Sequence, residues 1–506
     1  MKKGFDNEKY LSEQTKAILD RVAQFDHKLY LEFGGKLLFD YHASRVLPGY
    51  DPSVKMQLLK RLKDKIEIII CIYAKDIEAG RLRGDFGMTY DLACLKTIDD
   101  LKDWGLNVTN VVITRFKSEP LAIKFKNRLE RKGIQVYLHY EIKGYPGNID
   151  KIVSKAGYGR NEYIKTEKPI VVVTAPGPGS GKLAACLSQM YHDHKKGIDS
   201  GYAKFETFPI WNLPLHHPVN VAYESATADL ADYNLVDPHH LKTYNKKSIN
   251  YNRDVDAFPI LKSILEKIIG KSAKKIMYNS PTDMGVNRAG FGIIDDEAVK
   301  AAAKQEIIRR FFRYHWEFML GLEKKETVER AKELMKQEGL KEEDRACVLP
   351  ARKAAEDAAK TSGKGNNGVF CGAAIELAEG KIITGKNSPL MHAASAAVIN
   401  AIKHLAEVPD KIHLLPSNVI GNIAALKKDI LDLKTESLDL EETLVALSIS
   451  AAANPTAEAA VKALKALGGC EMHMSHIPSR GDEAGLRKLK INFTCDAQPT
   501  SHYFLR

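Results

Sequence analysis

The chain has 506 residues, 44% of them hydrophobic and 27% charged, with a formal net charge of +11. That is enough apolar material for two or three domains, each with its own core. The basic excess is spread along the chain among acidic residues, without basic tails or aromatic–basic interleaving, so a nucleic-acid partner is not expected.

The seven cysteines are odd in number and scattered, which fits reduced thiols in a cytoplasm better than disulfides. No segment approaches eighteen apolar residues, and the start, MKKGFDNEKY, lacks an apolar h-region. Membrane spanning and secretion are therefore not expected, and the expected location is cytoplasmic.

Near the N-terminus, LEFGGKLLFDYHASRVLPGYDP sets Lys36, His42 and Arg45 around Gly34-Gly35. From residue 66 the pattern alternates. IEIIICIY (66–73), NVVITR (110–115), IQVYLH (134–139) and IVVVT (170–174) are short apolar, β-branched runs. Helical stretches at 90–104 and 118–132 lie between them, the second ended by Gly133. Unbroken apolar strands alternating with helices predict an α/β fold with a parallel sheet covered on both faces. Ligands on such sheets gather at the carboxyl ends of the strands. There the first run leads into KDIEAGRLRGDFG, where Arg81, Arg83 and Asp85 sit in a glycine-flanked loop. Arginine forks in such loops suit phosphate or carboxylate; a surface loop without a ligand fits equally well.

The segment KPIVVVTAPGPGSGKLAACLSQMYHDHKKG (168–197) reads as a strand, a glycine-rich turn and an amphipathic helix in immediate succession. Gly177, Gly179 and Gly181 allow a tight turn whose N–H groups approach an anion, and the helix N-terminus adds partial positive charge. Ser180 offers a hydroxyl and Lys182, expected to be exposed, an ammonium. The loop is P-loop-like without being a Walker motif. Pro176 stands where the first glycine would be, and Leu183, which cannot ligate Mg²⁺, where the Ser/Thr would be. Glycines serving only close helix–strand packing are the alternative.

Residues 209–259 are dense in His, Asn, Asp and polar aromatics, and long polar loops in compact domains are often functional. His216, Asn220, Glu224, Asp229, Asp237, Asn252, Arg253 and Asp254 are the candidates for touching substrate, in a segment expected to fold over the glycine loop. A solvated connector is the alternative. The local basic group of Lys242, Lys246, Lys247 and Arg253 suits a small anion. A short strand is expected after residue 271, leading into SPTDMGVNRAG (280–290). That loop brings Asp283 and Asn287 toward the same sheet edge, with Asp283 or Asp254 as metal ligand or base. An Asx turn accounts for Asp283 almost as well.

A long helix is expected over 295–322, then the charged helical segment 322–345, broken at Gly339, and a loop at 361–368. The expected division is 1–165, an N-terminal α/β region; 166–345, the glycine-loop region continuous with the first sheet; and 346–506, a smaller C-terminal α/β domain. The last has a hairpin at 369–377 and 381–384, the helix MHAASAAVINAIKHL, and a helix opened by Asn454-Pro455. Cys470, His473, His476, Asp482 and Cys495 invite a zinc reading. His473 and His476 would point to opposite faces of a strand, and no C-x-x-C occurs. No bound metal is expected, and the absence of H-E-x-x-H argues against a zincin protease.

The hairpin, the turn ITGKNS and the helix that follows resemble nucleoside-deaminase-like folds. Such enzymes begin the helix His-Ala-Glu, whereas this chain has His392-Ala393-Ala394 and no cysteine pair. A shared fold would not carry the shared chemistry. Lys386 and Ser388 are then ligand contacts, or the alanines serve tight packing.

The runs TAPGPGSGK, HPVNVAYESATADL, INYNRDVDAFP, SPTDMGVNRAG and GDEAGLRKLKINFTCD resemble a large bacterial family catalogued as a conserved domain of unknown function. The resemblance covers nearly the whole chain and implies a cytoplasmic protein with no assigned activity. Some relatives carry an ATP-dependent zinc protease label, which these residues do not support.

Two functional readings stand. One is an enzyme, a transferase or ligase acting on a phosphorylated small molecule or nucleotide, with Mg²⁺ as a candidate cofactor. The other is a nucleotide-sensing or scaffold protein that binds without turnover. A homo-oligomer is compatible with either.

Overall fold

The computed structural model describes residues 2–25, 28–83, 88–270, 278–433 and 435–500. Most of the short strand expected after residue 271 and the candidate Asp85 lie outside these residues. The chain forms two compact units, one of residues 2–224 and 232–303, the other of 225–231 and 304–506.

The first unit is built on a six-stranded parallel sheet: β1 (Lys28–Phe33), β2 (Ile66–Tyr73), β3 (Val108–Phe116), β4 (Gln135–Tyr140), β5 (Ile170–Thr174) and β6 (Ser200–Phe205). The spatial order is β4-β3-β2-β5-β1-β6, and every pairing is parallel. The four apolar runs of the sequence are β2 to β5. The two expected helices are α1 (Tyr90–Asp103) and α2 (Pro120–Glu130), with Gly133 at φ +78° after the second. All residues of β1 and β5 are buried, as expected of a sheet covered on both faces.

The chain lays β3 and β4 on one side of β2, then returns to place β5 on its other side. The strand order therefore reverses at the carboxyl ends of β2 and β5, where such sheets leave a crevice. One face of the sheet, with Tyr30, Val171, Val173 and Tyr202, shares a core with the helices α3 (Lys182–Lys195) and α4 (Asn252–Ile269). Strands β1 and β6 have no counterpart among the sequence-derived strands. KLYLEF and SGYAKF carry Lys28, Glu32 and Lys204 and break the apolar run. These charges are tolerated inside because each has a partner.

The second unit contains a four-stranded sheet. An antiparallel hairpin of β9 (Gly372–Glu376) and β10 (Ile382–Lys386) is joined by β11 (Glu471–Met474) and β12 (Asn492–Cys495), in the order β10-β9-β11-β12. (A small antiparallel pair in the first unit, β7 Asn234–Val236 and β8 Ile249–Tyr251, precedes these.) Helix α5 (Ala393–Leu405) follows the hairpin, and Asn454 caps Pro455–Ala463 as its residue type predicts. Among the described residues, no helix is long and apolar enough to cross a membrane, and all seven cysteines are free.

At the carboxyl end of β4, His139 is 4% exposed, with Nε2 3.1 Å from the Glu162 carbonyl. Burial lowers its pKa to about 4. The unfolded chain takes up a proton near pH 6.5 that the folded chain refuses until about pH 4, so stability is lost as pH falls through that window. Urea denaturation at pH 7 and pH 4.5 should show His139→Gln losing about 2 kcal/mol less than wild type. Equal losses would place the acid sensitivity elsewhere.

Candidate functional site

The glycine loop joins β5 to α3 at the crevice. Gly179 and Gly181 have φ of +67° and +82°, a conformation that only glycine adopts without strain. A Cβ on Gly177 would lie 2.5 Å from the Tyr90 ring, so that glycine is required for close approach. The loop carbonyls are held from β3: Thr114 Oγ1 donates to the Ser180 carbonyl at 2.8 Å, and Arg115 donates to the Gly179 carbonyl. A planar trans peptide directs its N–H opposite to its carbonyl, so the amides of Ser180 and Gly181 face away from β3. Among the described residues no protein acceptor takes the N–H of Gly177, Gly179, Ser180, Gly181 or Lys182.

Two side chains of the loop differ from expectation. Ser180 is 1% exposed, and its hydroxyl donates to the Gly177 carbonyl at 2.7 Å; it closes the turn and is not offered outward. Lys182 is not an exposed lysine. Its side chain is 15% exposed, with Nζ 3.8 Å from Glu32 Oε1 on β1.

Beyond β1 lies a cleft of about 740 Å³ at the carboxyl end of β6. Lys204 pairs in register with Glu32, and its ammonium lies 3.1 Å from Glu206 and against Asp254. Burial disfavours the charge of Lys204, but Asp254, Glu206 and Glu32 outweigh it and raise the pKa above the ordinary lysine range. Burial pushes the Glu206 carboxyl up, against the pull of Lys204. Tyr251 donates to Glu206, and Tyr202 donates to Glu32 at 2.9 Å. On the far wall, Asp283 accepts from Tyr244 at 2.9 Å and from the Asn279 amide at 3.1 Å, with His240 3.7 Å away. The Asn287 side chain accepts from the Glu206 amide at 2.7 Å.

The structure thus brings Asp254 and Asp283 to one cleft, together with Asn287 and Lys246. Asp254 is already neutralised by Lys204, which leaves it a poor metal ligand. The other substrate candidates are placed elsewhere. Asn220 is fully buried and bonds both the N–H and carbonyl of Ile210. Glu224 accepts from the Asn234 amide, Asn252 from the Tyr233 amide, and Arg253 pairs with Asp232 at 2.7 Å. His216 is exposed. Arg81 pairs with Asp76 at 3.3 Å; Arg83 ends a two-residue strand, Leu82–Arg83, and its side chain is outside the description. Of these, His216, Asn220, Glu224, Asn252, Arg253 and Arg81 do not line the cleft, and neither does the glycine loop. Residues of the 209–259 segment, Trp211, His240, Tyr244, Lys246 and Asp254 among them, line the cleft beside β6, and its helix α4 shares a core with α3, the helix that the glycine loop opens. Lys204, Glu206 and Tyr251 went unrecognised in the sequence. Lys-x-Glu in SGYAKFETF was a signal only for a reader who had already found the strand.

Among the described residues no group of three or more His, Cys, Asp or Glu is arranged to hold a metal ion. In the second unit His473 is buried and bonded to Thr494, while His476 bonds Ser475.

Removing Lys204 leaves Glu206 and Asp254 as largely buried carboxylates without their cation. Lys204→Met should cost about 3 kcal/mol in denaturant unfolding at pH 7, and adding Glu206→Gln should recover part of it. A single variant as stable as wild type would show that the carboxylates do not depend on the lysine.

The N-terminal model of the domain of unknown function DUF1846 matches residues 3–339, and its C-terminal model residues 343–504. A UPF0371 protein of Clostridium botulinum strain Langeland is 55% identical over 499 residues, covering 98% of both chains. Another, from strain Eklund 17B, is 55% identical over 497 residues with the same coverage. With both models matched end to end, the chain belongs to the UPF0371 family and carries the N- and C-terminal DUF1846 domains.

Proposed function

We propose that the protein is an enzyme acting on a phosphorylated small molecule or nucleotide, with the phosphate held by the glycine loop at 177–182. The observation that carries this reading is the row of amide N–H groups without a protein acceptor, at the start of a 14-residue helix. Unpaired backbone donors beside a helix N-terminus favour an anion, and an unpaired donor that loses water without a partner is costly. The position at the strand-order reversal supports the same reading.

The cleft beside β6 supplies the polar groups for the rest of the substrate. Glu206, raised by burial and hydrogen-bonded by Tyr251, suits general acid–base work. Asp283 is the second carboxylate at hand for a base or a magnesium ligand. A transferase or ligase fits this division of labour. Leu183 at the usual magnesium hydroxyl position favours the alternative of binding without turnover.

The test is calorimetric titration of inorganic phosphate and ATP, with and without Mg²⁺, against wild type and Lys182→Ala. Loss of one charge-assisted hydrogen bond, about 1.5–3 kcal/mol, should weaken phosphate binding by about tenfold to a hundredfold. Because Lys182→Ala also removes one of the two cations near Glu32, it should melt lower even without ligand, so affinities and not melting temperatures are compared. Equal affinity in both proteins, or no binding in either, would contradict the reading.

A further inference from the structure

The second unit holds a separate cavity of about 1220 Å³. On its wall, His392, the N-cap residue of α5, places Nδ1 2.7 Å from Asp482 Oδ2. Asp482 is 4% exposed and fully engaged. Oδ2 also accepts from Ser479 Oγ at 2.9 Å, and Oδ1 accepts from the Leu440 amide at 3.0 Å. Held this way, the carboxylate fixes the imidazole and raises its pKa against the opposing effect of burial. The far ring nitrogen, Nε2, has no hydrogen-bond partner among the described residues. A histidine oriented by a buried carboxylate, with its other nitrogen free in a cavity, is built to meet a ligand.

The two helix starts that meet here read His392-Ala393-Ala394 and Pro478-Ser479-Arg480-Gly481-Asp482. Zinc deaminases of bases write the corresponding starts H-x-E and P-C-x-x-C, with His and both Cys on zinc and Glu moving protons. Here Ser479 and Asp482 stand at the cysteine positions, Ser479 donates to Asp482 and Asp482 holds His392 directly, and Ala394 stands where the glutamate would be. The hydrogen bonds that take the place of metal bonds hold the pocket's shape, while its hydrolytic groups are gone. Cys371 does not supply a nucleophile, since burial pushes its thiol up to about 12. What remains on the lining suits a flat heterocycle. His315 and His476 line it with imidazole rings, and Asn366 and Gln498 with amide donor–acceptor groups, the side-chain types that stack on bases and read base edges.

We propose that this cavity binds a nucleobase or nucleoside without deaminating it, with the free nitrogen of His392 as its hydrogen-bonding anchor. The site is independent of the glycine loop, and its test uses ligands that carry no phosphate.

Adenosine, cytidine, guanosine and uridine are titrated calorimetrically into the full-length protein, and ammonia release is measured in the same samples. At least one nucleoside should bind at one site per chain without ammonia release. Binding should weaken about tenfold or more in His392→Ala, the loss of one ligand hydrogen bond. Ala394→Leu, which fills the cavity while leaving the His392–Asp482 bond in place, should weaken it likewise and covers the case in which His392→Ala fails to fold. No binding by any of the four, binding unchanged in a folded variant, or release of ammonia would each overturn the proposal. A failure here leaves phosphate binding at the glycine loop untouched.

Discussion

Glu32 lies at the carboxyl end of the strand that separates the glycine loop from the β6 cleft, and charges on both sides answer to it. It is 8% exposed, so its carboxylate persists only with partners. Lys182 approaches from the loop side, Tyr202 donates from the neighbouring strand, and Lys204 stands opposite in the register. Lys204 in turn holds Glu206 and Asp254. The loop helix and the cleft are thereby tied through one buried carboxylate, on the face of the sheet covered by α3 and α4. An anion arriving at the loop amides would compete with Glu32 for Lys182, which gives the loop and the cleft a shared electrostatic centre.

That same placement explains what the sequence concealed. Strands β2 to β5 announce themselves as apolar runs because most of their residues are buried and the charges of β2 and β3, Glu67 and Arg115, sit near the strand ends. Strands β1 and β6 lack that signature because Glu32 and Lys204 interrupt it, and these are the residues on which the site is built. Buried paired charge mimics a surface loop in a hydropathy reading. The glycines were easier, since three of them between a buried strand and an amphipathic helix have few structural explanations, and two do adopt positive φ.

The segment 209–259 is instructive in the other direction. Its density of Asn, Asp and His suggested contact with substrate, yet much of it serves the loop itself. Asn220 mimics a backbone partner for Ile210, Asn252 caps Tyr233, and Asp237 accepts from His239, His240 and Thr282. An irregular chain buried beside a sheet must pair its backbone groups by side chains, so polar density there reports bonding need as much as chemistry. Asp254 reaches the cleft because it lies in the first turn of α4, aimed at β6, whereas Arg253 one residue before is turned to Asp232.

A phosphate site at 177–182 requires that the amides of the glycine loop receive an anion. Hydrogen–deuterium exchange of the peptide spanning 175–183, with and without saturating inorganic phosphate or ATP, reads those N–H groups directly. Unpaired amides should exchange fast in the free protein and slow markedly when ligand is added, with Gly179, Ser180 and Gly181 among the protected sites. Slow exchange without ligand, or a loop unchanged at ligand concentrations that protect another part of the chain, would contradict the assignment of this loop as the phosphate site.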